Sequence, residues 1–254
     1  MEYLYSNETI FILALVGALA GFIDAVAGGG GLITLPALLL VQIPPVQALA
    51  TNKLQGSFGT LSASITLIKK GAINIKTLKI SILTCLIGSA LGTVAVQLSP
   101  PKALTIIIPV VILIICVYFL FAPSTGDIES KPRLSSRLWR FCCVPVMGFY
   151  DGYLGPGAGM LYALGGVALR GKTLISATAT AKLLNFASNI ASLMVFILGG
   201  KIVWAVGLSM AAGQILGGHL GAHAVITKGA KFIRPIIVIV CLSMLAKYLS
   251  SAIL

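Results

Sequence analysis

Residues 21–36 read Gly-Phe-Ile-Asp-Ala-Val-Ala-Gly-Gly-Gly-Gly-Leu-Ile-Thr-Leu-Pro, an apolar run broken by four consecutive glycines just after its single carboxylate, Asp24. The pattern returns 127 residues later, where residues 148–160 begin Gly-Phe-Tyr-Asp151 and continue through Gly155, Gly157 and Gly159. With a slip to an offset of 129, Ala50-Thr-Asn-Lys53 falls on Ala179-Thr-Ala-Lys182, and Gly71 falls on Gly200. Gly88 and Gly92 then fall on Gly217 and Gly221, and Lys102 on Lys231. So many matches in one order mark a duplicated unit. The fold must therefore be made of the same broken element twice.

The solvent for that fold is lipid. Of 254 residues 58% are hydrophobic and only 9% charged, with a mean hydropathy of +1.04, whereas a soluble domain carries about a quarter charged residues. The apolar runs 102–121, 203–227 and 233–254 each approach the ~20 residues a helix needs to cross a bilayer. The alternating segments of roughly ten residues that a closed barrel requires are missing, so the chain is predicted to be an all-α polytopic membrane protein. The net charge of +12 sits between the apolar runs without interleaved aromatics. That is the pattern of membrane loops and not of a nucleic-acid surface. Cys85, Cys116, Cys142, Cys143 and Cys241 lie in apolar surroundings without metal-type spacing. Adjacent Cys142 and Cys143 are read as small apolar helix residues. No basic segment precedes the first apolar run, where Glu2 and Glu8 stand instead, so a cleaved signal peptide is not expected.

In chain order, a helix is predicted from Thr9 to Ala27, stopped by Gly28–Gly31, then a short apolar arm from Leu32 to Gln42 ended by Pro44 and Pro45. About 11 residues reach only ~16 Å, so the pair reads as a helical hairpin with its tip inside the membrane, two full crossings being the alternative. Helices follow over 46–68, to Leu98 and to Phe121. The second copy repeats the plan with arms near 141–154 and 157–169 and helices near 174–198, 202–226 and 233–253. The division is thus 1–121, a basic linker 122–140, and 141–254. Three helices after a hairpin give each copy an odd number of crossings, so the second copy must be inverted. With the acidic N-terminus outside, 13 of the 18 Lys and Arg residues fall inside, and only Lys102 and Lys201 fall in outside loops. This bias fits two inverted-topology repeats, each a broken helical hairpin plus three transmembrane helices, in the cytoplasmic membrane with both termini outside.

Four charges stand where the membrane should be. Asp24 and Asp151 precede the two glycine breaks, and Lys53 and Lys182 sit at equivalent places several residues into apolar helices. A charge near the bilayer centre costs roughly 2.5 to 3.5 kcal/mol on insertion scales, so such residues are paired or functional. The structural alternative is an Asp paired with a lysine or capping broken backbone, and lysines that snorkel. Polar stripes accompany the lysines: Lys53, Ser57, Thr60 and Ser64 in one copy, Thr178, Lys182, Asn185, Asn189 and Ser192 in the other, at helical spacing. After each break a short helix is expected to begin, near Leu32 and near Gly159 or Met160. Its first N–H groups lack intrahelical partners and form a ready anion site. Two such helix ends and two lysines at the midplane predict an anion-binding centre. Its candidate contacts are Lys53, Lys182, Gly29, Gly30, Gly31, Gly157, Ala158, Gly159, Asn52, Ser57, Asn185 and Asn189, with Asp24 and Asp151 in coupling or structural roles. His219 and His223 stand one turn apart without a nearby acid or cysteine and read as a packing pair, not a metal site.

Gly21-Phe-Ile-Asp24 with Ala27-Gly-Gly-Gly-Gly31, Ala50-Thr-Asn-Lys53, Gly148-Phe-Tyr-Asp151-Gly with Gly155-Pro-Gly157, and Lys182-x-x-Asn185-x-x-x-Asn189 resemble the paired signatures of the sulfite exporter TauE/SafE family. The resemblance runs from about Ile10 to Lys247. It implies a multi-pass carrier of sulfite, sulfonates and related oxyanions, with Lys53 and Lys182 as anion contacts and Asp24 and Asp151 shaping the breaks or coupling transport to an ion. The copies differ where Asn52 faces Ala181 and Gly56 faces Asn185, so the two lysines need not act alike.

The function expected is secondary transport of a small oxyanion by alternating access around a central site. A membrane subunit holding a partner through the linker and a passive anion channel are the alternatives. No P-loop, nucleophile with base, or metal set is recognisable, so neither ATP hydrolysis nor other enzyme activity is expected, and no cofactor. The expected partners are a small anionic substrate, the lipid bilayer and a proton or other coupling ion. The Gly88-x-x-x-Gly92 and Gly217-x-x-x-Gly221 faces leave a homodimer open.

Overall fold

The computed structural model of the chain describes residues 6–100 and 128–228, with Lys102 and Val110. The helices expected over 102–121 and 233–253 lie outside the described residues. So do Cys116, Cys241, Lys231 and Lys247.

All the described regular structure is helical. Helix α1 (Asn7–Ala27) starts on Ser6, whose hydroxyl accepts the Thr9 N–H at 3.2 Å, and ends where Gly28 turns left-handed at φ +84°. Glycine takes that conformation without the penalty a Cβ would bring. Helix α2 (Gly30–Leu40) follows at once, then α3 (Pro45–Lys69), opened by a proline at its first position, and α4 (Ile75–Leu98), capped by Asn74. In the second half Ser135 caps a short turn, Ser136–Leu138, that runs through a π-helical stretch, Trp139–Cys143, into α5 (Val144–Tyr153). Helices α6 (Ala158–Ala168), α7 (Leu174–Leu198) and α8 (Trp204–Lys228) complete the described chain.

Two boundaries differ from expectation. The short helices start at Gly30 and Ala158, earlier than Leu32 and Gly159, because the backbone resumes helical geometry within the glycine runs themselves. The second hairpin starts at Ser136 instead of near 141, so the end of the stretch read as linker is helical, with Trp139 buried against Gly165 of α6.

Helices α1, α4 and α7, of 21, 24 and 25 residues, are long and apolar enough to cross a membrane. Helices α2 and α6 have 11 residues each, which reach only ~16 Å at 1.5 Å per residue. They return from the tips of hairpins whose first arm is long.

The helices sort into two groups. Helices α1, α3 and α8 pack together and run the same way: Gly17 meets Met210, Gly21 meets Gln214, Gly218 meets Gly59, and Ser62 donates to the Ile215 carbonyl at 2.8 Å. Helices α4, α5 and α7 form the other group, also parallel: Gly88 meets Pro145, Gly92 meets Phe149, and Ser89 and Ser192 share a 2.7 Å hydrogen bond. A methyl group at Gly88 or Gly92 would collide with backbone of α5, and one at Gly217 or Gly221 with backbone of α1. Both Gly-x-x-x-Gly faces are thus used within the chain for close helix approach. The groups meet where α3 and α7 cross antiparallel, with Gly56 against Asn189 near the crossing and Ala63 and Leu67 packed in one cluster with Ala179 and Leu183.

The basic loops gather at one end. Ser130 and Leu134 donate to the Gly171 and Leu169 carbonyls at 2.9 and 3.0 Å. Arg140, Arg170 and Lys172 surround one cavity with Thr77, and Lys69 and Lys70 another with His219 and His223. At the opposite end Gln97 lies against Gly199, and Thr51 accepts the Val203 N–H at 3.1 Å.

Candidate functional site

The two glycine breaks face one another between the groups. Gly28 lies against the backbone of Gly159 and Met160, where any side chain would collide, and Gly31 looks onto Pro156. Asp24, on the last turn of α1, reaches over the break: its Oδ1 accepts the Gly30 N–H at 3.1 Å and so caps the start of α2. A buried donor at a helix start is thereby satisfied, which is why α2 can begin inside the glycine run. The second break is shaped differently. Gly155 and Gly157 both have positive φ, +93° and +76°, and the Tyr150 hydroxyl donates to the Pro156 carbonyl at 2.5 Å. Gly157 caps α6 without a side-chain bond.

The four charges pair across the groups. Lys182 of α7 donates to Asp24 Oδ2 at 3.1 Å and to the Asp24 carbonyl. Lys53 of α3 is ion-paired with Asp151 of α5 and donates to Asn189 Oδ1 at 3.1 Å. Asp151 accepts a second hydrogen bond from Ser188. Each lysine therefore reaches the aspartate of the other copy. Lys53, Lys182 and Asp151 are 0–1% exposed, so each pair holds a charge that would be costly alone in lipid.

Around the pairs the side chains are donors and amides. Asn189 donates to Asn185 Oδ1 at 2.7 Å, which leaves the Asn185 amide nitrogen beside Gly159. In the other copy Thr34 and Gln55 donate to Asn52 Oδ1 at 2.5 and 2.7 Å, which leaves the Asn52 amide nitrogen beside Gly31. Asn52 and Asn185 are not equivalent in the repeat, yet each brings a donor to the glycine-start helix of its own copy.

These groups enclose a cavity of about 20 Å³ whose lining includes Asp24, Gly30, Gly31, Asn52, Lys53, Gln55, Asp151, Asn185, Asn189 and Gln214. Such a volume holds about one water, less than an oxyanion of four heavy atoms needs. The centre is closed in this conformation.

Of the residues expected from sequence, Lys53, Gly30, Gly31, Asn52, Asn185 and Asn189 line the cavity with both aspartates. Lys182 stands one step back, bound to Asp24. Gly29 and Gly157 cap the short helices, and Ala158 and Gly159 begin α6 against α1. Ser57 turns its hydroxyl to its own helix, donating to the Lys53 carbonyl at 2.7 Å, and does not reach the cavity. Gln55, Gln214, Thr34 and Ser188 were not anticipated. The signals available were amides in apolar runs, Gln55 two residues after Lys53 and Gln214 between Gly213 and Gly217. His219 and His223 lie away from the centre, edge to face at 6.3 Å, with a 3.0 Å hydrogen bond between Thr66 and His219 Nδ1.

Two half-length helices that start on glycine at a buried polar centre, between bundles of membrane-length helices, are the architecture of a membrane transporter. The chain belongs to the sulfite exporter TauE/SafE family, whose sequence profile matches residues 13–248. It is 48% identical over 240 residues to a probable membrane transporter protein of Haemophilus influenzae, covering 94% of each chain. It is 44% identical over 247 residues to the probable membrane transporter protein YfcA of Escherichia coli, covering 97% of this chain and 92% of that one. A probable membrane transporter protein of Sinorhizobium, ORF9, is 41% identical over 241 residues, 95% of this chain and 91% of that one. No solved structure matches the chain.

Proposed function

We propose that the protein is a secondary transporter of a small oxyanion, sulfite or a sulfonate, built of two inverted repeats in the cytoplasmic membrane with its basic end inside. The α1/α3/α8 group rocks against the α4/α5/α7 group around the paired glycine breaks. The reciprocal ion pairs carry this reading, because Lys53–Asp151 and Lys182–Asp24 are also the charged ties between the moving parts. A substrate that competes for either lysine loosens a tie and so acts on the conformational equilibrium. The closed 20 Å³ centre favours a carrier over a channel with a standing pore.

Charge balance gives the coupling. Two lysines and two aspartates sum to zero, so a monoanion entering alone leaves one uncompensated buried charge. A proton taken with it, on Asp151 or Asp24, restores neutrality and frees the paired lysine for the anion. Asp151 faces Lys53 and Ser188, and Asp24 faces Lys182 and the Gly30 N–H. The helix-start N–H groups and the amides of Asn52 and Asn185 supply the remaining donors.

Uptake of labelled sulfite, sulfoacetate and a carboxylate into proteoliposomes under an imposed proton gradient tests this. Saturable flux that follows the gradient is expected, together with loss of the gradient response in Asp151→Asn or Asp24→Asn. Gradient-driven flux unchanged in both variants would remove the aspartates from coupling. Absence of flux for every anion, with the protein folded, would refute the transport assignment.

A further inference from the structure

A second polar cavity, of about 150 Å³, lies at the basic end and shares no lining residue with the central one. Its mouth is formed by exposed Thr77 and Ser136, its walls by half-buried Arg140, Arg170 and Lys172, and its floor by buried Ser81 and Tyr162. No Asp or Glu is among the described residues that line it, so three cations converge on a space that a small oxyanion with a few waters would fill. Two of the three wall cations are held in place. Arg170 donates to the Leu134 carbonyl and, at 2.8 Å, to Ser136, and Lys172 donates to Thr180 at 2.8 Å. Burial pushes the Lys172 ammonium below the ordinary lysine range, and neighbouring Arg170 adds to that, while Glu129 opposes it. Three cations against one neighbouring carboxylate, Glu129, leave the local balance positive.

The floor leads inward. The Tyr162 hydroxyl and Cys85 share a 3.0 Å hydrogen bond, and Cys85 donates to the Leu184 carbonyl of α7. The same two helices carry the Ser89–Ser188 contact at 2.7 Å, and Ser188 donates to Asp151. Tyr162 and Cys85 thus form a single buried layer between the basic cavity and the Lys53–Asp151 pair.

We propose that this cavity is an anion-docking site that takes a free small oxyanion from the basic side, with Tyr162 closing it from the centre. This deepens the transport assignment and rests on it for the direction of entry. Fork-shaped guanidinium groups suit an oxyanion better than ammonium groups alone would, and the volume is too small for a lipid headgroup with its glycerol.

Trp139 lines the cavity and is one of two tryptophans in the chain, so Trp204→Phe leaves a local reporter. In nanodiscs of neutral lipid, sulfate and sulfite are expected to change Trp139 fluorescence saturably. Arg140→Gln and Arg170→Gln should each weaken the response by about tenfold or more, the usual scale for losing a charged hydrogen bond. Arg170→Lys should recover part of it. In oriented proteoliposomes the same variants should raise KM from the basic side and leave KM from the other side unchanged. Saturable fluorescence without any flux would keep the docking site and remove the transport assignment. Normal flux with a silent Trp139 and unchanged KM from both sides would overturn the docking site alone. A signal that follows the anionic lipid content of the nanodisc and ignores free sulfate would overturn the free-anion assignment.

Discussion

At Lys53 and Asp151 two opposite charges share one buried site, and the cost of separating them differs from the worth of the pair. Lys53→Ala leaves the Asp151 carboxylate buried with only Ser188, and is expected to destabilise by about 3 to 5 kcal/mol. The double variant Lys53→Ala/Asp151→Ala removes both charges, and its stability in detergent should lie well above the single variant's while transport stays lost. Thermal unfolding of both checks this, and a double variant as unstable as the single one would mean that the pair itself holds the fold. Gly30→Ala tests the other half of the centre. Its Cβ would sit 2.6 Å from Asp24 Cβ, so the carboxylate must leave both the Gly30 N–H and Lys182. Flux should fall strongly, whereas Gly71→Ala, with left-handed φ but nothing within 4 Å, should cost only the ~1–2 kcal/mol of backbone strain and transport normally. The sequence exposed these charges, since an Asp or Lys in an apolar run is conspicuous by cost alone. It did not say which Lys meets which Asp, because pairing across the copies depends on how the two halves cross. Gln55 and Gln214 stayed hidden because neutral amides carry a smaller penalty and look like helix-packing residues.

Among the elements, the two hairpins solve one problem with different residues. The first uses an aspartate cap on Gly30, the second two left-handed glycines and the Tyr150 hydroxyl. The lengths of α3, α4 and α7 were legible because apolar runs bounded by prolines, lysines and glycine pairs leave little choice. The starts of α2 and α6 were not, since glycine runs carry no propensity signal and, for α2, the capping carboxylate comes from six residues upstream. The π-helical entry to the second hairpin likewise rests on Trp139 packing against α6, a contact no local pattern announces. The loop between α6 and α7 gives a pH prediction. Because Lys172 titrates below its ordinary value in the fold, the unfolded chain binds more protons between the lowered and the ordinary value, and stability rises with pH across that window. Below the window the charged ammonium opposes folding, so Lys172→Gln should melt no lower than the native protein at pH 7. The variant's advantage should shrink as the pH passes about 10.4, the unfolded lysine value. Melting curves at the two pH values decide it, and an advantage that grew with pH would contradict the burial of this ammonium beside Arg170.

For the whole molecule, the decisive fact is that each helix group borrows from the other copy: α8 packs on α1 and α3, and α5 on α4. Among the described residues neither copy packs as a separate unit, so the proposed rocking divides the chain along the α3/α7 crossing and not between residues 1–121 and 141–254. Small residues make each group tight, with methyl-sized additions at Gly17, Gly88, Gly152 or Gly213 all colliding with a neighbouring backbone. Between the groups, beside the apolar cluster of Ala63, Leu67, Ala179 and Leu183, stand two ion pairs and a chain of amides, contacts that can exchange partners with an anion. Spin labels on a cysteine-free background should report this division. The distance between His223→Cys on α8 and Arg137→Cys at the start of the second hairpin, both exposed at the basic end, should change when sulfite and low pH are applied together. The distance between His223→Cys and Ile65→Cys, within the α1/α3/α8 group, should not. A change within the group, or none across the crossing under conditions where flux is measured, would place the moving boundary elsewhere. Sulfite without the pH change should give a smaller response, because the lysines released by the anion would then leave their aspartates charged and unpaired.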